Sequence, residues 1–528
     1  MYKNKNSMKR NKIVAGAVLL MGALTMASCS KSFLEPTPKG TNLESEYYTT
    51  PTEAFNGLVA AYAPMQIDYH EGYCSSEGLA NAASDECYSG GASATDQVSW
   101  TAMNNMTLLT PTIVESDGGL WSVPFIGITA CNQLLANLST CGLDDATLAQ
   151  YTAECEFLRA YYYFRLVRWF GNVPLFTSAM TLDMAYSTPQ ATPEQVYTQI
   201  EADLNAAIPN LPLTVSGANL GRASQGEALA LLGKVYLYDK KYDSAAIELA
   251  KVNGTPGGTS TYGYHLLANY GDIFSVTNKF NAESILEIQH SSGQNYGDWS
   301  GNSPVGNTYA IMCGPRNYSF TKAPAPNMNA GWGFTPITYD LYNAMVVNGV
   351  YDPRYQYTIY NIDSLMALGL CSYGQMAWTQ GFPTTGYWIV KYAPLKADDG
   401  AGNEGLNYGN DYIEIRLADT YLMEAEAIVQ GGGDMSRAMA LVNAVRARVG
   451  LPALTGTLTM DEIKNERHLE LATEGHRWFD LVRWGDANQV LNNMANGFSK
   501  HFVAGKNEIL PIPLNDLTNT QLKQNPGY

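Results

Sequence analysis

The sequence predicts a mainly α protein in which tetratricopeptide-like helical pairs support an irregular, loop-rich ligand-binding lobe with minor β structure. Three observations carry this. Apolar residues recur at spacings of three and four through two blocks, 51–253 and 411–528. Between them, over 254–410, Gly, Asn, Ser, Pro and aromatics take over. One segment of that stretch, Ser284–Gln289 (SILEIQ), alternates as a strand does. A loop-rich insert of this size is seldom mere connection, so it is where a site is expected.

The N-terminus is an address rather than structure. Lys3, Lys5, Lys9, Arg10 and Lys12 form a positive region, and Ile13 to Met26 is apolar but short for a membrane span. Met26-Ala27-Ser28 then precede Cys29 in the pattern of a bacterial lipobox. The reading is a lipoprotein signal peptide over 1–28, lipidation at Cys29 and a tether over 29–50. An ordinary secretory signal with an incidental Cys is the alternative. No other segment has the character of a membrane span.

Losing residues 1–28 removes five positive charges and no negative one, which takes the formal net charge from −17 to −22. Such a surface argues against nucleic acid and suits a neutral ligand. The composition, 46% hydrophobic and 15% charged, is that of a folded protein with few charges. Its 35 Tyr far outnumber its 15 Phe, which places many rings where a hydroxyl meets water or a polar ligand. Beyond Cys29 the cysteines are Cys74, Cys87, Cys131, Cys141, Cys155, Cys313 and Cys371, an odd number without a C-x-x-C pair. At least one is free, and no disulfide framework is expected in so long a chain.

In order, Thr52 to Pro64 reads as an amphipathic helix, Ser75 to Thr95 as loops, and Leu120 to Leu138 as a helix with Trp121, Phe125, Ile128 and Leu135 on one side. Glu154 to Phe170 is apolar around most of its circumference, so it is expected to be buried. Pro193–Leu211, Arg222–Lys240 and Tyr242–Val252 continue the series. In the last two, Leu232, Gly233, Tyr236 and Ala245 fall at tetratricopeptide spacings, small residues letting the helices approach. A second helical pair is expected at Tyr412–Gln430 and Asp434–Val449, across Gly431-Gly432-Gly433.

The stretch Glu466–Gly485 (ERHLELATEGHRWFDLVRWG) reads as about five turns of helix. Leu469, Ala472, His476 and Phe479 share its core face, and Glu466, Glu470 and Glu474 form an acid stripe. Arg467, Arg477 and Arg483 stand three residues from Glu470, Glu474 and Asp480, which suggests a salt-laced helix locking the C-terminus to the scaffold. Thr459 to Glu462 fits a capping box upstream, and Gly475 either permits close packing or ends the first helix.

Six pieces in order resemble the SusD/RagB family: Glu156–Leu175, Phe280–Gln289, Pro336–Arg354, Ile413–Ala427, Glu466–Gly485, and the terminal Pro511-Ile512-Pro513 with Gln524–Tyr528. The resemblance implies an outer-membrane nutrient-binding lipoprotein with a SusD-like fold, a glycan ligand and a SusC-like TonB-dependent transporter as partner. A RagB-like peptide binder is the alternative. Family members often carry acids just after the lipidated Cys, where this chain has Ser30-Lys31. The motifs mark scaffold, so no ligand contact is carried over from them.

Sugar rings pack their C–H faces on aromatic surfaces and need amide, carboxylate and Tyr partners for their hydroxyls. The residues that answer this description are Trp299, Trp332, Tyr296, Tyr318 and Trp100, with Asp298, Asn302 and Asn329 as polar neighbours. Trp299 and Trp332 lie in glycine-flanked stretches and stand equally as ligand contacts or loop anchors. Trp100, Trp378 and Trp388 have apolar or β-branched neighbours, which favours burial.

Catalytic readings fare worse, and no enzyme is expected. Glu466 and Glu470 have the look of a glycosidase pair, but a helix turn does not by itself open a cleft between them, so a surface hydrolase ranks last. His70, His265, His290, His468, His476 and His501 show no metal-binding spacing, and there is no G-x-S-x-G elbow or Walker loop. His476 reads as core. Asp398-Asp399-Gly400 to Asn403-Glu404 lacks EF-hand spacing and reads as a solvated turn. No cofactor is expected.

Overall fold

The computed structural model describes residues 47–67, 75–114, 119–293, 305–320, 323–374, 385–403 and 405–528. The signal segment, Cys29 and the tether up to residue 46 lie outside these, as do Cys74, Trp378 and Glu404. Among the described residues no helix is long and apolar enough to cross a membrane.

Helices start where the sequence supplies a side-chain acceptor for the otherwise unpaired N–H groups of the first turn. Asp144, Thr192, Ser224 and Asp434 play this part, and Thr459 with Glu462 forms the expected reciprocal box. The scaffold helices are α1 (Pro51–Ile67), α2 (Ser122–Asn137), α3 (Asp145–Phe170), α4 (Pro193–Ala207), α5 (Gln225–Tyr238) and α6 (Tyr242–Asn253). After the lobe come α7 (Leu417–Gly431), α8 (Met435–Arg448), α9 (Met460–Glu470) and α10 (Arg477–Trp484). As its composition requires, the C-terminal part of α3 is buried almost all round.

From α1 to α8 each helix packs on the next. The step from α6 to α7 is the informative one, because the whole of 254–410 separates them in sequence. Leu237, Ala245 and Leu249 of the α5–α6 pair nevertheless share one apolar cluster with Met423 and Ala427 of α7. The lobe is thus an insertion into a continuous helical stack. Gly233 makes the α5–α6 approach possible, since a Cβ there would lie 2.5 Å from Leu249 Cγ.

Two strands close the neck of the insertion. β1 (Ser284–Ile288) is the expected strand, and it pairs antiparallel with β2 (Tyr412–Arg416), Tyr412 opposite Ile288 and Arg416 opposite Ser284. This corrects the helix expected from Tyr412. All five residues of β2 are buried, and the helical pattern that begins at Leu417 follows without a break, which masks the change of period.

The stretch Glu466–Gly485 is also corrected. It is two helices, α9 and α10, joined by a turn in which Thr473 and Gly475 take φ of +66° and +77°. Gly475 serves close packing as well, because a Cβ on it would stand 3.1 Å from Glu77 Cα. The acid stripe faces inward and finds its partners far away in sequence. Glu466 takes Arg354 and Arg446 at 2.6 and 2.8 Å. Glu470 takes Arg354 and Arg416 at 3.0 and 2.7 Å, together with Arg448. Glu474 takes Arg416 at 2.7 Å and Lys391 at 2.5 Å. Arg467 instead bridges Asp419 and Asp480, and Arg477 pairs with Asp85, each at 2.8 Å. The neighbouring pair Arg483–Asp480 forms as expected at 2.9 Å. The acids do lock the last helices in place, but to β2, α8 and the lobe.

Burial raises the Glu470 and Glu474 carboxyls, yet the facing cations outweigh it and hold both below the usual range. His468 and His476 are buried, which depresses them to about 3 and about 4, so both are neutral in the folded protein at pH 7. His476 is core, as its place on the apolar face predicted. The signs agree. Acids depressed on folding stabilise above their unfolded value near 4.5, and that stability is lost as pH falls through it. Histidines depressed on folding lose theirs from 6.5 downward. The thermal midpoint is therefore expected to fall steeply below pH 4.5, where both contributions are lost together. Calorimetric scans at pH 6, 4.5 and 3.5 check this, and a flat midpoint would contradict it.

Candidate functional site

The aromatic–polar face of the lobe is assembled from three backbone segments that lie edge to edge. Trp332 N–H donates to Ile311 O at 2.8 Å, Gly333 to Gly314 O at 2.9 Å, and Gly91 to Gly333 O at 2.7 Å. Glycines permit this spacing. A Cβ on Gly314 would stand 2.7 Å from Gly331 Cα, and one on Gly90 would overlap Gly333 O. The glycines around Trp332 thus serve backbone packing, and the ring is left half-buried against Ala310, Ile311 and Tyr408.

Polar groups ring it. Arg316 Nη1 donates to Trp332 O at 2.8 Å and lies 3.9 Å from Asp96 Oδ2, which accepts the Ala92 N–H at 2.7 Å. Asn329 Nδ2 donates to Asp399 Oδ2 at 3.1 Å and to Tyr408 Oη at 2.8 Å. Asp399 and Tyr408 face each other across a short hairpin in which Gly400 N–H donates to Asn407 O at 2.9 Å. Of the solvated turn expected at Asp398–Glu404, Ala401 and Gly402 are exposed, whereas Asp398 turns inward. Asp398 is buried and accepts from Asn410 Nδ2 at 3.3 Å, so the hairpin buttresses the Trp332 face. Among the described residues no group of three or more His, Cys, Asp or Glu could hold a metal ion.

The expected site residues divide into three sets. Trp332 is half-buried, and Asn329 is a positioning residue bonded to the Tyr408 on which its ring packs. Trp100 and Tyr318 are buried, which corrects their candidacy as ligand contacts. Trp100 packs on Tyr309 and Phe334 with ring centroids 6.5 and 5.2 Å away. Tyr318 is buried because Tyr318–Phe320 pairs with Cys371–Tyr373, over a cluster that includes Met328, Ile362 and Trp388. Tyr296, Asp298, Trp299 and Asn302 lie outside the described residues. The residues flanking that segment are placed: Ser291 N–H donates to Val305 O at 2.8 Å, and Asn307 N–H to Tyr408 O at 2.9 Å. Asn307 thus stands beside the Tyr408 that Asn329 holds.

Arg316 and Asp96 were not read from the sequence, since nothing local to either joins Pro315-Arg316-Asn317 to the loop at 92–96. The glycosidase pair fails on access. Glu466 and Glu470 are buried and consumed by arginines, leaving no cleft for a sugar. The six described cysteines are buried thiols, none of them in a disulfide.

A stack of helical pairs interrupted by such a lobe defines the SusD-like class of proteins. The chain belongs to the SusD family. The family's model matches residues 282–528, and a second model, described as starch-binding associating with outer membrane, matches 59–237. A solved laminarin-binding SusD-like protein is 44% identical, with a TM-score of 0.84 over 91% of this chain and 100% of its own. Surface glycan-binding protein A from Bacteroides thetaiotaomicron, solved in complex with laminarihexaose, is 27% identical, with a TM-score of 0.77 over 90% of this chain and 100% of its own. The starch-binding protein SusD of Bacteroides thetaiotaomicron is 26% identical over 73% of this chain and 74% of its own.

Proposed function

We propose that this protein is a non-catalytic glycan-binding lipoprotein, anchored through Cys29 to the outer membrane and facing outward. It captures laminarin-type oligosaccharide on the lobe and delivers it to a SusC-like TonB-dependent transporter. The half-buried Trp332, fixed by three backbone segments and ringed by Arg316, Asp96 and the Asn329 cluster, carries the reading. It offers a rigid apolar face with polar groups beside it, which is what a sugar ring requires. The 44% identity to a laminarin-binding relative supports the choice of ligand.

Titration calorimetry with laminarihexaose, maltohexaose, a mannan oligosaccharide and a set of peptides tests it. Heat with laminarihexaose, and the hexasaccharide recovered intact afterwards by chromatography, is the expected result. Binding of peptides alone, or shortened products, would overturn it.

A further inference from the structure

The junction between the scaffold helices and the base of the lobe carries a feature that the Trp332 face does not use. Beside the N-terminal end of α5, a cavity of about 280 Å³ opens between the turn at Tyr262–Tyr264, Phe280 and β1. Three aromatic rings line it. Tyr262 and Tyr264 stand 6.3 Å apart with their planes only 31° from parallel, and both are partly exposed. Gly226 accommodates the pair, since a Cβ there would fall 2.7 Å from the Tyr264 hydroxyl. Ser224, Glu227 and Asn281 also line it, Ser224 and Glu227 capping each other's backbone N–H groups and Asn281 bonded to Ile273 O, Asn278 O and the Glu283 N–H.

A second cavity of about 270 Å³ adjoins the first across Leu220, which lines both and is 41% exposed. Phe55, Tyr62, Gln66 and Gln289 border it. β1 runs under the two, contributing Ser284 and Ile285 to one and Glu287 and Ile288 to the other. Gly221, at φ of +85°, turns the chain beside Phe280 and Gln289 at the edge of the second cavity.

The chemistry of the furrow selects a neutral ligand. Arg222 is already paired with Glu154 at 2.5 Å. Burial raises the Glu227 carboxyl well above its ordinary value, and burial with the nearby Asp411 pushes Glu287 to about 8. At neutral pH Glu287 is therefore uncharged, and the shift at Glu227 runs in the same direction. Aromatic faces with amide, hydroxyl and neutral carboxyl groups match the alternating C–H faces and hydroxyl edges of a sugar. Each cavity lies near the roughly 300 Å³ lower bound of ligand pockets, which suits a short run of rings rather than a long chain.

We propose that this furrow, where the base of the lobe meets the scaffold helices, is a second saccharide-binding site separate from the Trp332 face. Its ligand class is that of the proposed function, on which it rests. A chain with two sites holds a long glucan at two points, and the second contact forms at raised effective concentration once the first is made.

Titration of the full chain with laminarihexaose tests this, with Tyr262→Ala, Leu220→Trp and Trp332→Ala as variants and thermal midpoints as the check on folding. Leu220→Trp puts a bulkier side chain at the residue that lines both cavities and leaves both tyrosines unsubstituted. The expected result is two hexasaccharides per chain, falling to one in Tyr262→Ala, in Leu220→Trp and in Trp332→Ala. One hexasaccharide per chain, lost in Trp332→Ala and unchanged in the other two, overturns the second site and leaves the proposed function standing. No heat in any of them overturns both.

Discussion

Arg416→Met is expected to lower the unfolding free energy by about 3–5 kcal/mol, the cost of removing one partner from a buried ion pair. Arg416 is wholly buried and donates to Glu283 at 2.9 Å, Glu470 at 2.7 Å, Glu474 at 2.7 Å and the Glu470 carbonyl at 2.7 Å. Methionine fills a similar volume, so the loss is electrostatic. Three carboxylates that sit in low dielectric with too few cations are left behind. Arg448, Arg354 and Lys391 remain, but each is already engaged by one or more of these acids. Lys251→Ala serves as the control. Its pair with Glu248 is 2.6 Å long, but Lys251 is 52% exposed, and exposed pairs contribute roughly 0–1 kcal/mol. Urea unfolding of the two variants beside the parent checks the expectation. An unchanged midpoint for Arg416→Met would mean that the network adds specificity without stability.

The same network marks the boundary of what the sequence alone reveals. α1 to α6 were legible because the apolar period, the capping side chains and the Gly or Pro stops that define a helix are all local. Gly233 and Ala245 even signalled the α5–α6 contact, because the partners are one turn of chain apart. The α6–α7 contact was not legible, since it is made across the inserted lobe and no local pattern records it. The acid stripe was read correctly as a set of acids needing cations, and wrongly as to which. The nearest arginines in sequence point to Asp419, Asp480 and Asp85, while the cations that satisfy Glu466, Glu470 and Glu474 arrive on β2, α8 and the lobe. At the site, the apolar neighbours of Trp100 disclosed its burial. Tyr318 gave no such sign, because its partner strand Cys371–Tyr373 lies some fifty residues on. Trp332 was visible from its glycines. Its polar surroundings were not, because Arg316 and Asp96 meet only when the chain at 89–91 pairs with 333–335.

Trp332→Ala is expected to weaken laminarihexaose binding at the lobe by about 1–3 kcal/mol, or roughly 5- to 150-fold, the loss of one aromatic contact and its burial. The ring rests on Ile311 and Tyr408, so its removal also costs some packing, and affinity alone would not separate the two effects. Trp332→Phe separates them. Phenylalanine keeps an apolar ring on Ile311, and it preserves the backbone bonds from Trp332 N–H to Ile311 O and from Arg316 to Trp332 O, which need no particular side chain. It presents less surface to a sugar. The thermal midpoint of Trp332→Phe is therefore expected to match the parent while its affinity falls between parent and Trp332→Ala. Were Trp332 an anchor for the loop, both variants would bind laminarihexaose as the parent does and differ only in melting. Surface plasmon resonance beside calorimetric melting gives both readouts on the same preparations, and a graded loss of affinity with the parent's midpoint kept in Trp332→Phe is the pattern that a ligand-contacting ring produces.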